Sequence, residues 1–315
     1  MVTKATKTVR RINPSVKKFR DNKSLLAMCL PAIIKTIIFA YLPMVGLIIA
    51  FKNYTPKLGI FGSEWNGFAN FEFFFKSNTA WDVIRNTIGL NFLNIILSTV
   101  VNVCLALFLY EVTSRRCLKV YQTVLFIPYF FSWVLVGLML TVLLSSTSGV
   151  LTNAIYALSG EKINFYTQPN YWIAILPIIN TWKGAGFGSI IYYSCLMNID
   201  RELFEAAEID GATKLQRIWN ICIPFLKPMI CVLTIMAIGG IVRADFGLFY
   251  FVPRNQAQLY PVTDVIDTYV YRALAENGDF GMSTAIGLIQ SVLGFILVLG
   301  SNKIANMFDR DYALF

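Results

Sequence analysis

The chain has 315 residues, of which 56% are hydrophobic, 15% aromatic and only 14% charged, with a formal net charge of +9. Soluble domains carry about 25% charged residues, and the apolar residues here fall in blocks of roughly twenty, the length that crosses a bilayer. A secreted disulfide scaffold, a disordered chain and a nucleic-acid-binding domain are excluded as first readings, and the expected fold class is all-α, a polytopic membrane protein.

Two absences narrow the chemistry. There is no histidine, which removes imidazole-based triads and imidazole metal sites. There is no G-x-x-x-x-G-K-[ST] loop, so ATP, if used, is bound by another chain. Six cysteines form no C-x-x-C pair, so neither a redox motif nor a zinc ribbon is indicated. No catalytic and no metal-ligating residues are assigned.

Residues 1–29 form a basic segment, with eight Lys and Arg against the single acid Asp21 in its first 23 residues. The apolar block that follows runs about 22 residues, longer than a signal-peptide core of roughly 7–15. It reads as an uncleaved first span. Six spans are expected within 30–315, at about 30–51, 86–110, 120–144, 171–195, 219–242 and 282–302. With the N-terminus inside, the cytoplasmic segments hold 16 Lys and Arg and the outer ones seven, leaving out Arg85 at the rim. That bias places both termini in the cytoplasm. It also explains the basic tail better than nucleic-acid binding does. Pro43, Pro128 and Pro177 interrupt spans, and Pro224 and Pro228 open the fifth. Membrane helices tolerate proline where neighbours satisfy the freed carbonyls. The stretch 243–281 mixes Asp245, Arg254, Asp264, Asp267, Arg272, Glu276 and Asp279. It reads equally as a solvated loop or as a docking surface for an external partner.

One cytoplasmic loop has a clear design. Residues 198–228 read NIDRELFEAAEIDGATKLQRIWNICIPFLKP. Asp200 suits an N-cap, and Glu202 and Glu205 put negative charge in the first turn. Leu203, Ala206, Ala207 and Asp210 recur at helical spacing and share a face. Gly211 suits the left-handed position that ends such a helix. Thr213-Lys214-Leu215-Gln216 forms a T-x-x-Q capping box that starts a second helix leading into span five. The spacing predicts a short helix over about 200–211 lying across the cytoplasmic face. By periodicity alone it is equally an ordinary amphipathic surface helix.

The residues themselves add a resemblance. Glu205-Ala206-Ala207, Asp210-Gly211-Ala212, Ile223-Pro224 and Pro228 resemble the EAA loop of ATP-binding cassette (ABC) importer permeases, with Ile223 where that pattern has Leu. Asn66-Gly67-Phe68-Ala69-Asn70-Phe71 and Arg85-Asn86-Thr87 resemble external elements of the sugar-type permeases. Phe126-Ile127-Pro128, Ser132 to Val136, Gly149 to Asn153, Trp182 to Gly188 and Tyr312-Ala313-Leu314-Phe315 resemble the polysaccharide and oligosaccharide subgroup. The resemblance implies a type I ABC importer permease fold forming half of a translocation pathway in the plasma membrane of a prokaryote. It implies coupling through Glu205, Ala206, Ala207, Asp210 and Gly211. It implies as partners a second homologous permease, two ABC ATPase subunits that bind ATP and Mg, an extracellular or lipid-anchored substrate-binding protein and an oligosaccharide. No cofactor is expected on this chain.

Polar residues inside spans are candidate substrate contacts. Tyr129, Trp133, Asn180, Trp182, Lys183, Arg243 and Asp245 fit sugar chemistry, in which aromatic faces meet ring surfaces and polar groups meet hydroxyls. The competing reading is an interfacial aromatic belt, with Lys183 paired to a neighbouring subunit. Gly184-Ala185-Gly186-Phe187-Gly188 lies in an apolar run and reads as close helix packing. Alternatives are a permease of the same architecture for glycerol phosphate or polyamine, and an ion-driven secondary transporter. The first would need a basic cluster along the pathway for a phosphate, and the second intramembrane acids and inverted repeats.

Overall fold

A computed structural model describes residues 22–76 and 79–308. The basic tail up to residue 21 and the Tyr312–Phe315 motif lie outside the described residues.

The first apolar block forms one helical rod. Helix α1 (Lys23–Thr36) passes through a π turn at Ile37–Tyr41 into a 3-10 segment, Leu42–Phe51, that opens on Pro43. A two-residue antiparallel pair follows, Lys52–Asn53 against Glu64–Trp65. Helix α2 (Ala69–Lys76) leads to α3 (Ala80–Glu111), a helix of 32 residues. Helix α4 (Arg115–Phe126) and α5 (Trp133–Leu144) come next, then α6 (Val150–Ser159) and α7 (Trp172–Leu196). The short α8 (Arg201–Ile209) precedes the rod α9 (Lys214–Gly239). Helices α10 (Phe246–Phe251), α11 (Ile266–Asn277) and α12 (Phe280–Phe308) complete the described chain.

Among the described residues, four helices are long and apolar enough to cross a membrane: Ala27–Phe51, Ala80–Glu111, Lys214–Gly239 and Phe280–Met307. The expected third span is not one straight helix. Its two parts, Arg115–Phe130 and Trp133–Leu144, meet at 96°. Pro128 sits in a 3-10 turn, Phe131 is extended, and Ser132 Oγ accepts the Leu135 N–H at 3.2 Å to start a new helix. Proline alone does not cause the break, since Pro177 lies inside α7 without interrupting it. The expected fourth span, α7, has 25 residues, enough for about 37 Å. Asn180, Thr181, Lys183 and its glycines make it less apolar than the other four.

Among the described residues, three buried clusters hold the helices together. One joins α5, the start of α7 and α10 through Val136, Leu140, Trp172, Leu176, Leu248 and Val252. A second joins the start of α3, α11 and the start of α12 through Val83, Ile266, Ala273, Met282 and Ile286. A third, toward the other end of α3, gathers Val103, Ala106, Tyr192, Leu196, Cys222 and Leu226. The segment 243–281 is therefore not a loose loop: helices within it contribute buried residues to two clusters. Close packing explains Gly186, because a Cβ there would collide with the Leu125 carbonyl of α4.

Candidate functional site

Residues 200–239 form a short helix braced against a long one. Asp200 stands at the start of α8 with extended backbone, as expected, but its side chain makes no capping hydrogen bond. Its contribution there is charge near the helix N-terminus. At the other end Gly211 adopts φ +74°. The Gly211 N–H donates to the Glu208 carbonyl at 3.0 Å and the Ala212 N–H to the Ala207 carbonyl at 2.9 Å. This pair of reversed bonds satisfies the last carbonyls of α8. The capping box then forms as read: the Thr213 N–H donates to Gln216 Oε1 at 2.7 Å, and the Gln216 N–H to Thr213 Oγ1 at 3.4 Å. Arg217 of α9 pairs with Glu208 of α8, and Lys214 lies 3.7 Å from Glu111 at the end of α3.

One side of α8 is anchored. The Phe204 ring packs on Tyr110, with centroids 5.7 Å apart, and joins the third cluster. Ala207 lies on that side and is half-buried, so the four residues expected on one face do not all point outward. Leu203, Ala206, Asp210 and Glu205 remain exposed. Beside them stand exposed apolar groups that the periodicity did not single out: Ile209 at 88%, Leu215 at 68% and Trp219 at 67%.

Most of the candidate pathway residues meet at the α4–α5 bend. Lys183 Nζ donates to the Tyr129 carbonyl at 3.0 Å. It lies 5.2 Å from the Tyr129 ring centre and 5.0 Å from that of Trp133, within the range of cation–π attraction. Trp133 Nε1 donates to Asp245 Oδ2 at 2.9 Å. Asp245 Oδ1 accepts the Gly247 and Leu248 N–H groups and so caps α10. Asn180, Arg243 and Asp245 line a cavity of about 150 Å³ together with Asn91 and Asn94 of α3. Arg243 donates to Ser291 Oγ of α12 at 2.7 Å. Trp182 stands apart from the Lys183 cluster, 40% exposed, with its ring 6.3 Å from that of Phe131.

Asn91, Asn94 and Ser98 of α3 escaped the sequence reading. Asn91 Nδ2 donates to the Ile241 and Arg243 carbonyls, both at 2.9 Å. Ser98 and Thr181 hydroxyls lie 3.2 Å apart. Their spacing of three and four residues within an apolar block was the available signal: a polar stripe on one helix face.

Residues 102–305 match the family of binding-protein-dependent transport system inner membrane components. The chain belongs to that family. This ABC permease is similar to the protein LplB of Bacillus subtilis (strain 168), with 36% identity covering 93% of this chain and 91% of the relative. It is 37% identical, at the same coverages, to the polygalacturonan/rhamnogalacturonan transport system permease protein YteP of that organism. A crystal structure of a bacterial ABC transporter involved in the import of the acidic polysaccharide alginate aligns with a TM-score of 0.85 and 33% identity, covering 94% of this chain and 100% of the other. A second, of an alginate transporter in complex with alginate pentasaccharide-bound periplasmic protein, gives 0.83 and 34%, covering 93% and 97%.

Proposed function

We propose that this permease is one of two related membrane subunits of an ATP-driven importer of oligosaccharides, including acidic ones. It has six spans, counting α4 with α5 as the third and α7 as the fourth. Both termini and α8 lie in the cytoplasm. Residues 1–29 form the cytoplasmic basic segment and 30–315 the permease domain. ATP and Mg are bound by two ATPase subunits, and sugar is delivered by an external binding protein.

The observation that carries the reading is the braced helix α8. Glu205, Ala206, Asp210 and the apolar Ile209, Leu215 and Trp219 form a surface that a partner can grip. Gly211, Thr213 and Arg217 hold that surface rigidly on the rod α9. Closure of the ATPase pair moves α8 as a solid body, and α9 carries the displacement to the polar cluster at its far end. There the Lys183 ammonium beside two aromatic rings suits a carboxylated sugar, and Asn180 suits hydroxyls. The names of the relatives, one a polygalacturonan system and two alginate systems, support the acidic class.

The test is ATP hydrolysis by the complex purified from native membranes and reconstituted with its binding protein. Oligogalacturonide-loaded binding protein is expected to stimulate hydrolysis and drive sugar into the vesicles. Hydrolysis and uptake indifferent to every oligosaccharide, acidic or neutral, would overturn the reading.

A further inference from the structure

The cavity between α3, α7 and the end of α9 contains an unmet hydrogen-bonding group. Asn94, in the middle of α3, is 8% exposed, and its Oδ1 accepts no hydrogen bond. A buried acceptor left unpaired costs about 1–3 kcal/mol, so native structures supply it a partner. None of the neighbouring groups donates to it. Asn91 Nδ2 is committed to two backbone carbonyls, and Arg243 donates to Ser291. Both oxygens of Asp245 accept hydrogen bonds of their own.

The cavity also adjoins the aromatic shelf. Trp133 lies under the Lys183 ammonium on one side and donates to the cavity-lining Asp245 on the other. A sugar ring resting on an aromatic face directs its hydroxyls outward from the ring edge. A hydroxyl both donates and accepts, and so does a carboxamide. Asn94 and Asn180 together can therefore pair with neighbouring hydroxyls of one ring.

We propose that Asn94 of α3 is a specificity-determining residue that reads the ring hydroxyls of the transported sugar within this cavity, separately from the carboxylate held at Lys183. The inference rests on the reading of the chain as an oligosaccharide permease and assigns a new residue to its pathway.

The experiment uses the assembled transporter in vesicles with its binding protein. The probes are trigalacturonate with free ring hydroxyls and the same trimer with them O-methylated. Wild type transports the free form faster. In Asn94→Leu the ratio of the two rates falls by about fivefold, the worth of one hydrogen bond of ~1 kcal/mol. The binding protein's own preference enters both ratios and cancels. Lys183→Met leaves that ratio as in wild type. If the leucine variant does not assemble, Asn94→Ser, which shortens the side chain, is read the same way. An unchanged ratio in the variant, with the wild type active, would mean that Asn94 holds only a water and would overturn the inference alone. A wild type that moves no oligosaccharide would overturn the underlying reading as well.

Discussion

Asn86, near the start of α3, donates through Nδ2 to the backbone carbonyl of Asp264 at 3.1 Å, across 178 residues of chain. The same amide donates to the Pro261 carbonyl at 3.0 Å. The neighbouring Thr87 Oγ1 accepts the Ile266 N–H at 2.9 Å. Two consecutive polar side chains thus staple the segment between α10 and α11 to α3. The Asn-Thr pair noted in the sequence has a structural role.

Asn86→Ala removes the side-chain donor from the buried Asp264 carbonyl and leaves the Pro261 carbonyl only the longer bond from Arg85. The expected loss is about 1–3 kcal/mol of stability, read as a lower midpoint for thermal unfolding of the purified protein in detergent. A midpoint equal to wild type would show that the staple is dispensable.

The left-handed turn at Gly211 makes a sharper prediction. A β-branched residue at φ +74° is strained. Gly211→Val should still insert and assemble, while transport falls by about tenfold or more, the effect of ~1.4 kcal/mol on an equilibrium. Glu205→Lys should act in the same direction through the exposed face. Transport at the wild-type rate by both variants would remove the coupling role from α8.

At the polar cluster, Lys183→Met removes the cation held between Tyr129 and Trp133. Uptake of oligogalacturonides should drop several-fold while a neutral oligosaccharide of equal length, if carried at all, is unaffected. Equal loss of both would assign Lys183 to helix packing.

Burial raises the pKa of Asp267 in α11, although the Ala244 N–H and the Gln290 amide donate to it and Arg243 lies near. A folded-state pKa above the unfolded one means the protonated carboxyl is favoured by folding. Its stabilising contribution is complete below the ordinary carboxylate range, near about pH 4, and is lost as pH rises through the raised folded value. The stability of wild type relative to Asp267→Asn should therefore decline from pH 4 toward neutrality. A difference that is flat, or that grows with pH, would contradict the assignment.

Much of this architecture was legible in the sequence because the signals were local. Gly211 and the Thr213–Gln216 box each act within a few residues and appear in the structure as read, and four of the six apolar blocks form long apolar helices. The 96° bend at the third span was not legible. Pro128 and Pro177 look alike in sequence, and the difference lies in the helix start that Ser132 makes just after the first. The side of α8 that faces the protein depended on Phe204 finding Tyr110, a contact between distant segments. Asn94 was passed over for a similar reason. An asparagine in an apolar block gains meaning only when α7 and α9 close a cavity around it.

The most direct test of the central claim is affinity purification of the full chain from native membranes in mild detergent, with mass spectrometry of the proteins recovered. The account predicts a second permease and an ABC ATPase with the wild type. It predicts loss of the ATPase alone when Ile209 and Leu215 are both replaced by Asp. An ATPase retained at the wild-type level by that double variant, or absent from well-folded wild-type material, would contradict it.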